Sequence, residues 1–248
     1  MNQLYCLAPT GSLLAHFRPD QMRVECAITE ESVDIMLYGM VGDDSSGADS
    51  LTISRLLSDN RGKPVNLRVN SPGGLAYDGV AMYNAIQAHD GPTTGTIEGM
   101  AGSAASLAVI ACDTVRCYQA GVFQPHYSMI MAMGHQAEIR QALATQERLD
   151  QDLESVYANA SGQSVATVKE QLLGPHGDGT RFSAEQALKA GYVDEVIKHT
   201  KKKGVAAMVK KNGKGRFAYE LAVQKLSLAQ ISIDKHRGTH VTFPPDNS

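Results

Sequence analysis

From Val33 onward, short apolar runs alternate with helical stretches, and this alternation restricts the fold more than any other feature of the chain. Val33-Asp34-Ile35-Met36-Leu37-Tyr38 has the period-two pattern of a half-buried strand and ends at Gly39. A polar loop over 42–49 leads into a helix over Leu51–Leu57, followed by a strand at Val65–Val69. A Pro-Gly-Gly turn then precedes a helix from about Ala76 to Ala88. Thr93–Ile97 reads as the next strand, Ser103–Ala111 as a buried helix of small residues, and Val115–Tyr118 as another strand. Strands separated by single helices at this spacing cannot pair as hairpins. They predict an α/β fold with a mainly parallel sheet covered by helices on both faces.

The second half is more helical. Gln136–Ala160 contains neither Gly nor Pro and predicts one long helix, whose apolar positions Ile139, Leu143, Leu149, Leu153 and Val156 suit either a core face or another subunit. Ser164 is placed to cap a short helix ending near Leu173. Ser183 with Gln186 forms an S-x-x-Q capping box for another that stops at Gly191, and Val193–Ile197 reads as a closing strand.

Residues 1–30, punctuated by Pro9, Gly11 and Pro19, read as an arm or edge strand, residues 31–200 as one domain, and residues 201–248 as a basic tail. The tail has ten Lys+Arg against three Asp+Glu, or +7, so the remainder of a chain whose net charge is −3 carries −10. Its lysines cluster at Lys201–Lys203, Lys210 and Lys211, and Ala218–Ile231 is amphipathic. It suits a solvated linker or a segment that docks on an acidic partner. With Phe217, Tyr219 and Phe243 as its stacking groups, it ranks nucleic acid below a protein partner.

A chain with 43% hydrophobic and 20% charged residues is neither collagenous nor disordered. Its four cysteines lack C-x-x-C spacing, which favours a reduced compartment and offers no zinc site. No signal sequence or membrane span is legible, so the expected location is the cytoplasm, with no membrane partner and no cofactor.

Two segments carry chemistry. Asn70-Ser71-Pro72-Gly73-Gly74 follows a strand, and its paired glycines let backbone N–H groups approach an anion; an ordinary turn would have the same sequence. Gly99-Met100-Ala101-Gly102-Ser103-Ala104-Ala105-Ser106 joins a strand to a helix and sets Ser103 at a helix N-terminus, where a nucleophile or a plain N-cap serine would both fit. A nucleophilic serine needs a base. Of eight histidines, His126, after Val122-Phe123-Gln124-Pro125, suits the sheet edge, while His135 suits the first turn of the long helix. Asp178, in Gly177-Asp178-Gly179-Thr180, is the best-placed carboxylate to orient an imidazole, although a loop aspartate also makes its own Asx-turn.

Taken together and in this order, Asn70–Gly74, Gly99–Ser106, His126, Ser161-Gly162-Gln163-Ser164 and Phe182–Ala187 with Gly191–Asp194 resemble the Clp-protease proteolytic subunit (ClpP) family over about residues 33–198. Within it the likeness is greatest to phage head-maturation (prohead) proteases, through Asn70–Gly74 and the following Ala81-Met82-Tyr83-Asn84-Ala85. The resemblance implies a ClpP/crotonase-like spiral of ββα units with a projecting long helix, assembled as a homo-oligomeric ring. It implies a serine endopeptidase with Ser103 as nucleophile, His126 as base and Asp178 as its orienter. Gly74 and Ala104 would supply the oxyanion N–H groups. A peptide or protein substrate would lie as an added strand between Gly73, Leu75 and Ala76 on one side and Met129, Ile130 and Met131 on the other. Capsid or scaffold proteins are the substrates a phage enzyme would cut. Two alternatives remain: a housekeeping subunit working with an ATPase, and a catalytically silent ring-forming component. A crotonase-type enzyme would not need all three triad residues, and a Ser-Lys peptidase would need a lysine near Ser103, where Lys63 is the sole lysine before Lys169.

Overall fold

The computed structural model describes residues 4–5, 23–42 and 48–198. The basic tail, its amphipathic stretch and most of the N-terminal arm lie outside them. The main sheet runs β10-β6-β5-β4-β3-β2. Its strands are β2 (Arg23–Ile28), β3 (Val33–Val41), β4 (Val65–Gly74), β5 (Thr93–Gly102), β6 (Thr114–Tyr118) and β10 (Glu195–Ile197). Pairing is parallel from β3 to β10, and β2 closes the other edge antiparallel to β3. The expectation of a mainly parallel α/β sheet is thus met, but not that of helices on both faces, since the face carrying Tyr38, Arg68 and Glu98 is half-buried or exposed; part of the segment read as an arm forms the edge strand.

Period-two alternation selects the core. Val33, Ile35, Leu37 and Val41 of β3 and Val65, Leu67 and Val69 of β4 are buried, while the residues between them are half-buried or exposed on the opposite face. That second face is polar: Tyr38 donates to the Glu98 carboxylate, and Arg68 Nε donates to Glu98 Oε1 at 2.7 Å. The buried face packs on helices α1 (Ser50–Asp59), α2 (Ala76–Gln87) and α3 (Ala104–Ile110). Asp49 caps α1 by accepting from Thr52 N at 2.9 Å. Every residue of α3 is buried, and α2 approaches it so closely that a Cβ on Gly79 would lie 2.8 Å from Ala104 Cβ.

The strand β7 (Val122–Gln124) creates the feature that matters most for chemistry. β5 pairs with β6 over Thr94–Ile97, then with β7 over Met100–Gly102, so the sheet forks at Glu98–Gly99. β9 (Phe182–Ser183) adds antiparallel to β7, and Phe123 stacks on Tyr192 with ring centroids 4.9 Å apart.

The long helix α4 (Gln136–Ser161) is present as expected. Leu149, Leu153 and Tyr157 of its C-terminal half enter the core, whereas its first three turns are almost wholly exposed; Ile139 and Leu143 are 39% and 49% exposed. α5 (Val165–Leu173) and α6 (Ala184–Lys189) begin at Ser164 and Ser183, the latter with the reciprocal Ser183–Gln186 capping box. A separate two-stranded ladder pairs β1 (Leu4–Tyr5) antiparallel with β8 (Met129–Ile130). Among the described residues no helix is long and apolar enough to cross a membrane.

Candidate active site

Three strand ends converge just past the fork. Ser103, between β5 and α3, is 3% exposed and has φ 50° and ψ −126°, the one non-glycine positive φ among the described residues. L-residues rarely occupy that region, so tertiary contacts must hold it there. They do: Ser103 N donates to Gln124 O at 2.8 Å, and Ser103 O accepts from Ser106 N at 2.9 Å and Ser106 Oγ at 2.6 Å. The Ser103 side chain makes no capping bond to α3, which removes the plain N-cap role.

The Asn70–Gly74 segment is not a turn. It continues β4 in extended form, with shifts in register beside both β3 and β5. Gly73 has φ +102°, and a Cβ there would lie 2.5 Å from Ser103 Cβ and 3.0 Å from Ala104 N. The glycine is therefore what lets this segment lie against the serine. Gly73 N donates to Ser71 Oγ at 3.1 Å, and Leu75 N donates to Val41 O at 2.9 Å. Successive N–H groups alternate sides along a strand, so with Leu75 N–H bonded to β3 the Gly74 N–H faces away from it. Leu75 is the N-cap of α2, Ala76 is its buried first residue, and Ala104 is the first residue of α3.

His126 follows β7 and is 4% exposed. Its Nδ1 is 2.6 Å from Tyr127 O. A carbonyl can only accept, so Nδ1 carries the proton and Nε2 keeps its lone pair. Nε2 is buried and has no hydrogen-bond partner. Burial holds the His126 pKa below the ordinary 6.5, opposed by the Tyr127 bond and by the charges of Asp178 and Asp150. Asp178 is half-buried in the loop after α5, next to Gly179, where a Cβ would lie 2.5 Å from His126 Cβ. The Asp178 carboxylate thus acts on the imidazole by charge; among the described residues no hydrogen bond joins the two. His135 is the exposed N-cap of α4, with its N–H donated to Glu138 Oε2 at 2.7 Å.

β8 holds Met129 and Ile130 half-buried, and Met131 beyond it is 74% exposed. Its strand partner is the chain's own Leu4–Tyr5, in the register Leu4↔Ile130 and Tyr5↔Met129.

Residues missed by reading the sequence hold the site together. Gln124, 1% exposed, takes Ser103 N–H on its main-chain oxygen, while its side-chain Nε2 donates to Asp178 O at 2.9 Å and its Oε1 accepts from Arg181 Nε at 3.1 Å. A glutamine within the apolar run Val122-Phe123 was the available signal. Gln146, Asp150 and Glu154, one turn apart along α4, bind Ser128 O at 2.5 Å, Ser128 N at 2.8 Å and Tyr127 Oη at 2.8 Å. Their four-residue spacing was visible but had no recognisable target. Among the described residues no group of three or more His, Cys, Asp or Glu side chains is placed to hold a metal ion.

Comparison with known proteins agrees with this architecture. The family model described as Clp protease matches residues 24–200. The ATP-dependent Clp protease proteolytic subunit 1 of Salinibacter ruber is 26% identical over 153 residues, 60% of this chain and 64% of that subunit. The ATP-dependent Clp protease proteolytic subunit of Ligilactobacillus salivarius is 26% identical over 171 residues, 68% of this chain and 84% of that subunit. The match thus spans just under two thirds of the Salinibacter subunit and more of the other. With the forked parallel sheet, the long helix and a family match over most of its length, the chain belongs to the Clp protease family.

Proposed function

We propose that the chain is a serine endopeptidase in which Ser103 attacks a peptide carbonyl and His126 accepts its proton. The observation that carries this reading is the buried, unpartnered Nε2 of His126, whose ring proton is already committed on the other side, one strand away from a serine held in a strained conformation. An orphaned buried acceptor costs free energy, and its presence calls for an explanation. Here the explanation is general-base catalysis. Ser103 Oγ forms the acyl bond as Nε2 takes its proton, and the developing oxyanion receives the N–H groups of Gly74 and Ala104. The proton passes to the leaving amine, and water, deprotonated by the same nitrogen, then releases the acyl group. Asp178 stabilises the imidazolium by its charge.

The substrate binds as an extended strand between Gly73, Leu75 and Ala76 and the β8 segment Met129–Met131, taking the place of Leu4–Tyr5. Residues 31–200 form the catalytic domain, and the exposed start of α4 packs against further copies in a ring. The physiological substrate is a capsid or scaffold protein cut in phage head maturation, in the host cytoplasm, with the basic tail docking on an acidic partner. The likeness of Asn70–Gly74 and Ala81–Ala85 to prohead proteases supports this. A second reading, a subunit that depends on an ATPase, is favoured by the names of both relatives.

Labelling with a fluorophosphonate tests the chemistry: the probe should modify the full-length protein and not Ser103→Ala or, at a comparable rate, His126→Ala. Equal labelling of Ser103→Ala would refute it. Cleavage of purified scaffold protein without ATP or a partner separates the two physiological readings.

A further inference from the structure

The Nδ1 proton of His126 goes to the Tyr127 carbonyl, at 2.6 Å. The nitrogen of that same peptide group, Ser128 N–H, donates to Asp150 Oδ1 at 2.8 Å, and Ser128 Oγ donates to the same oxygen at 2.7 Å. Imidazole and carboxylate therefore sit at opposite ends of one planar, resonant amide. A carboxylate on the N–H side draws the amide proton and shifts electron density towards the carbonyl oxygen, so the carbonyl becomes a stronger acceptor for the ring proton.

On the reading that Ser103 and His126 are nucleophile and base, we infer that Asp150 is a positioning residue for His126, acting through the Tyr127–Ser128 peptide. It holds the ring as the Nδ1–H tautomer with Nε2 towards the serine, and stabilises the cation formed when Nε2 is protonated. The proton moves from Ser103 Oγ to Nε2 alone; none travels along the peptide.

The surroundings support a role for the charge and not just for the bonds. Asp150 is flanked on α4 by Gln146 and Glu154, which hold Ser128 O and the Tyr127 hydroxyl, while Lys169 Nζ pairs with Glu154 at 3.1 Å. The dipeptide after the histidine is thereby fastened to one face of the helix. An asparagine at 150 would offer the same acceptor oxygen to Ser128 without burying a charge, and burial does push the Asp150 carboxyl above its ordinary range, with Glu154 adding to the effect. Its bonds from Ser128 and the attraction of His126 act in the opposite direction. The charged groups facing His126 are Asp178 from the loop and Asp150 from α4. Of these, Asp150 has the hydrogen-bonded route to the ring.

The test uses the full-length protein and the variants Asp150→Asn, Asp150→Glu and Ser128→Ala. Asp150→Asn keeps an acceptor oxygen and loses the charge. Its kcat on a short fluorogenic peptide should fall about tenfold with KM unchanged, the size of effect that a weakened charge-assisted bond produces. The acid limb of the fluorophosphonate labelling rate should move down by roughly half to one pH unit, because removing a negative charge weakens proton binding at the imidazole. Asp150→Glu should restore the acid limb. Should Asp150→Asn fail to fold, Ser128→Ala carries the test: with the hydroxyl gone, Oδ1 is left to the Ser128 N–H alone, so the acid limb should move up, opposite to Asp150→Asn, and an unmoved limb would overturn the inference. A folded Asp150→Asn with wild-type kcat and acid limb, or one that loses only thermal stability, would overturn the inference while leaving the serine peptidase intact. Absence of any labelling at Ser103 in the wild-type protein would overturn both.

Discussion

If Ser103 is the nucleophile proposed above, adding one methyl group at Gly73 should largely abolish its reactivity without unfolding the chain. A Cβ at this position would lie 2.5 Å from Ser103 Cβ, 2.7 Å from Gly102 O and 3.0 Å from Ala104 N. Carbon atoms at ordinary contact are about 3.5–4.0 Å apart, so the methyl and the Ser103 Cβ must separate by about 1 Å. None of these atoms belongs to a flexible side chain, so no rotamer change relieves the clash. The φ of +102° adds strain of roughly 1–2 kcal/mol for an L side chain. Ser103 can retreat only by giving up its N–H bond to Gln124 O or its own strained geometry. A displacement of about 1 Å at a reacting group costs on the order of 100-fold in rate. Gly73→Ala should therefore lower kcat/KM and the fluorophosphonate labelling rate by about two orders of magnitude, with a destabilisation of roughly 1–3 kcal/mol in a thermal melt. Gly62→Ala is the control: its φ is +75°, but nothing lies within 4 Å of the new Cβ. That variant bears backbone strain alone and should lose stability while keeping full activity. A folded Gly73→Ala within about threefold of wild-type kcat/KM would show that the end of β4 does not abut the nucleophile, since even a 1 Å shift there predicts more.

Three further outcomes follow from the same geometry. In the proposed mechanism His126 must be neutral to act as base, and burial holds its pKa below 6.5, so the labelling rate should rise with pH to a plateau with its midpoint below 6.5, and a midpoint above 6.5 would contradict the buried site. The sign for stability is the same: a depressed folded-state pKa makes this contribution complete above the unfolded value of 6.5 and lost as pH falls through the folded one, which melts across that window will register. If substrate replaces β1 on β8, deleting residues 1–8 removes a competitor held by about 1 kcal/mol per backbone bond, and KM should fall roughly three- to tenfold; an unchanged KM would exclude β8 as the substrate edge. Ile139→Asp with Leu143→Asp alters exposed positions and should leave the melting temperature of the subunit fold unchanged while shifting sedimentation towards monomer, and a wild-type protein that is itself monomeric at micromolar concentration would refute the ring contact.

What was legible in the sequence was what local pattern controls. The alternation of Val33, Ile35 and Leu37 announces β3, the Ser183–Gln186 box announces α6, and the absence of Gly and Pro from Gln136 to Ala160 announces α4. Strand ends were less visible. β4 and β5 run on through Asn70–Gly74 and Glu98–Gly102, where glycines would ordinarily stop a strand, because neighbouring strands hold them extended through shifts in register. The partners of β1 and β2 were equally hidden, since pairing across the chain leaves no periodic trace. At the site, residue types were readable and geometry was not. Nothing in Gly102-Ser103-Ala104 specifies φ 50°; the contact with Gln124 from another strand does.

The fork in the sheet explains why these residues gather at one end of it. In open α/β sheets, ligands gather beyond the carboxyl ends of strands, where neighbouring connections diverge and leave a crevice. Here the divergence lies along one strand: β5 exchanges β6 for β7 at Glu98–Gly99, and Ser103 is the first residue past the pairing of Gly102 with Gln124. β7 in turn brings His126 two residues beyond that bond, and the Gln124 side chain draws in the Asp178 loop. One short strand thus sets the spacing of Ser103, His126 and the Asp178 loop. Shortening its grip should affect all three together. Gln124→Met, which keeps side-chain length but leaves Asp178 O and Arg181 without partners, should lower kcat more than loss of the Asp178 charge alone, because it frees the loop as well. If Gln124→Met and Asp178→Asn prove equal in kcat and in their acid limbs, Gln124 contributes nothing beyond the placement of that carboxylate, and β7 is a spacer for His126 alone.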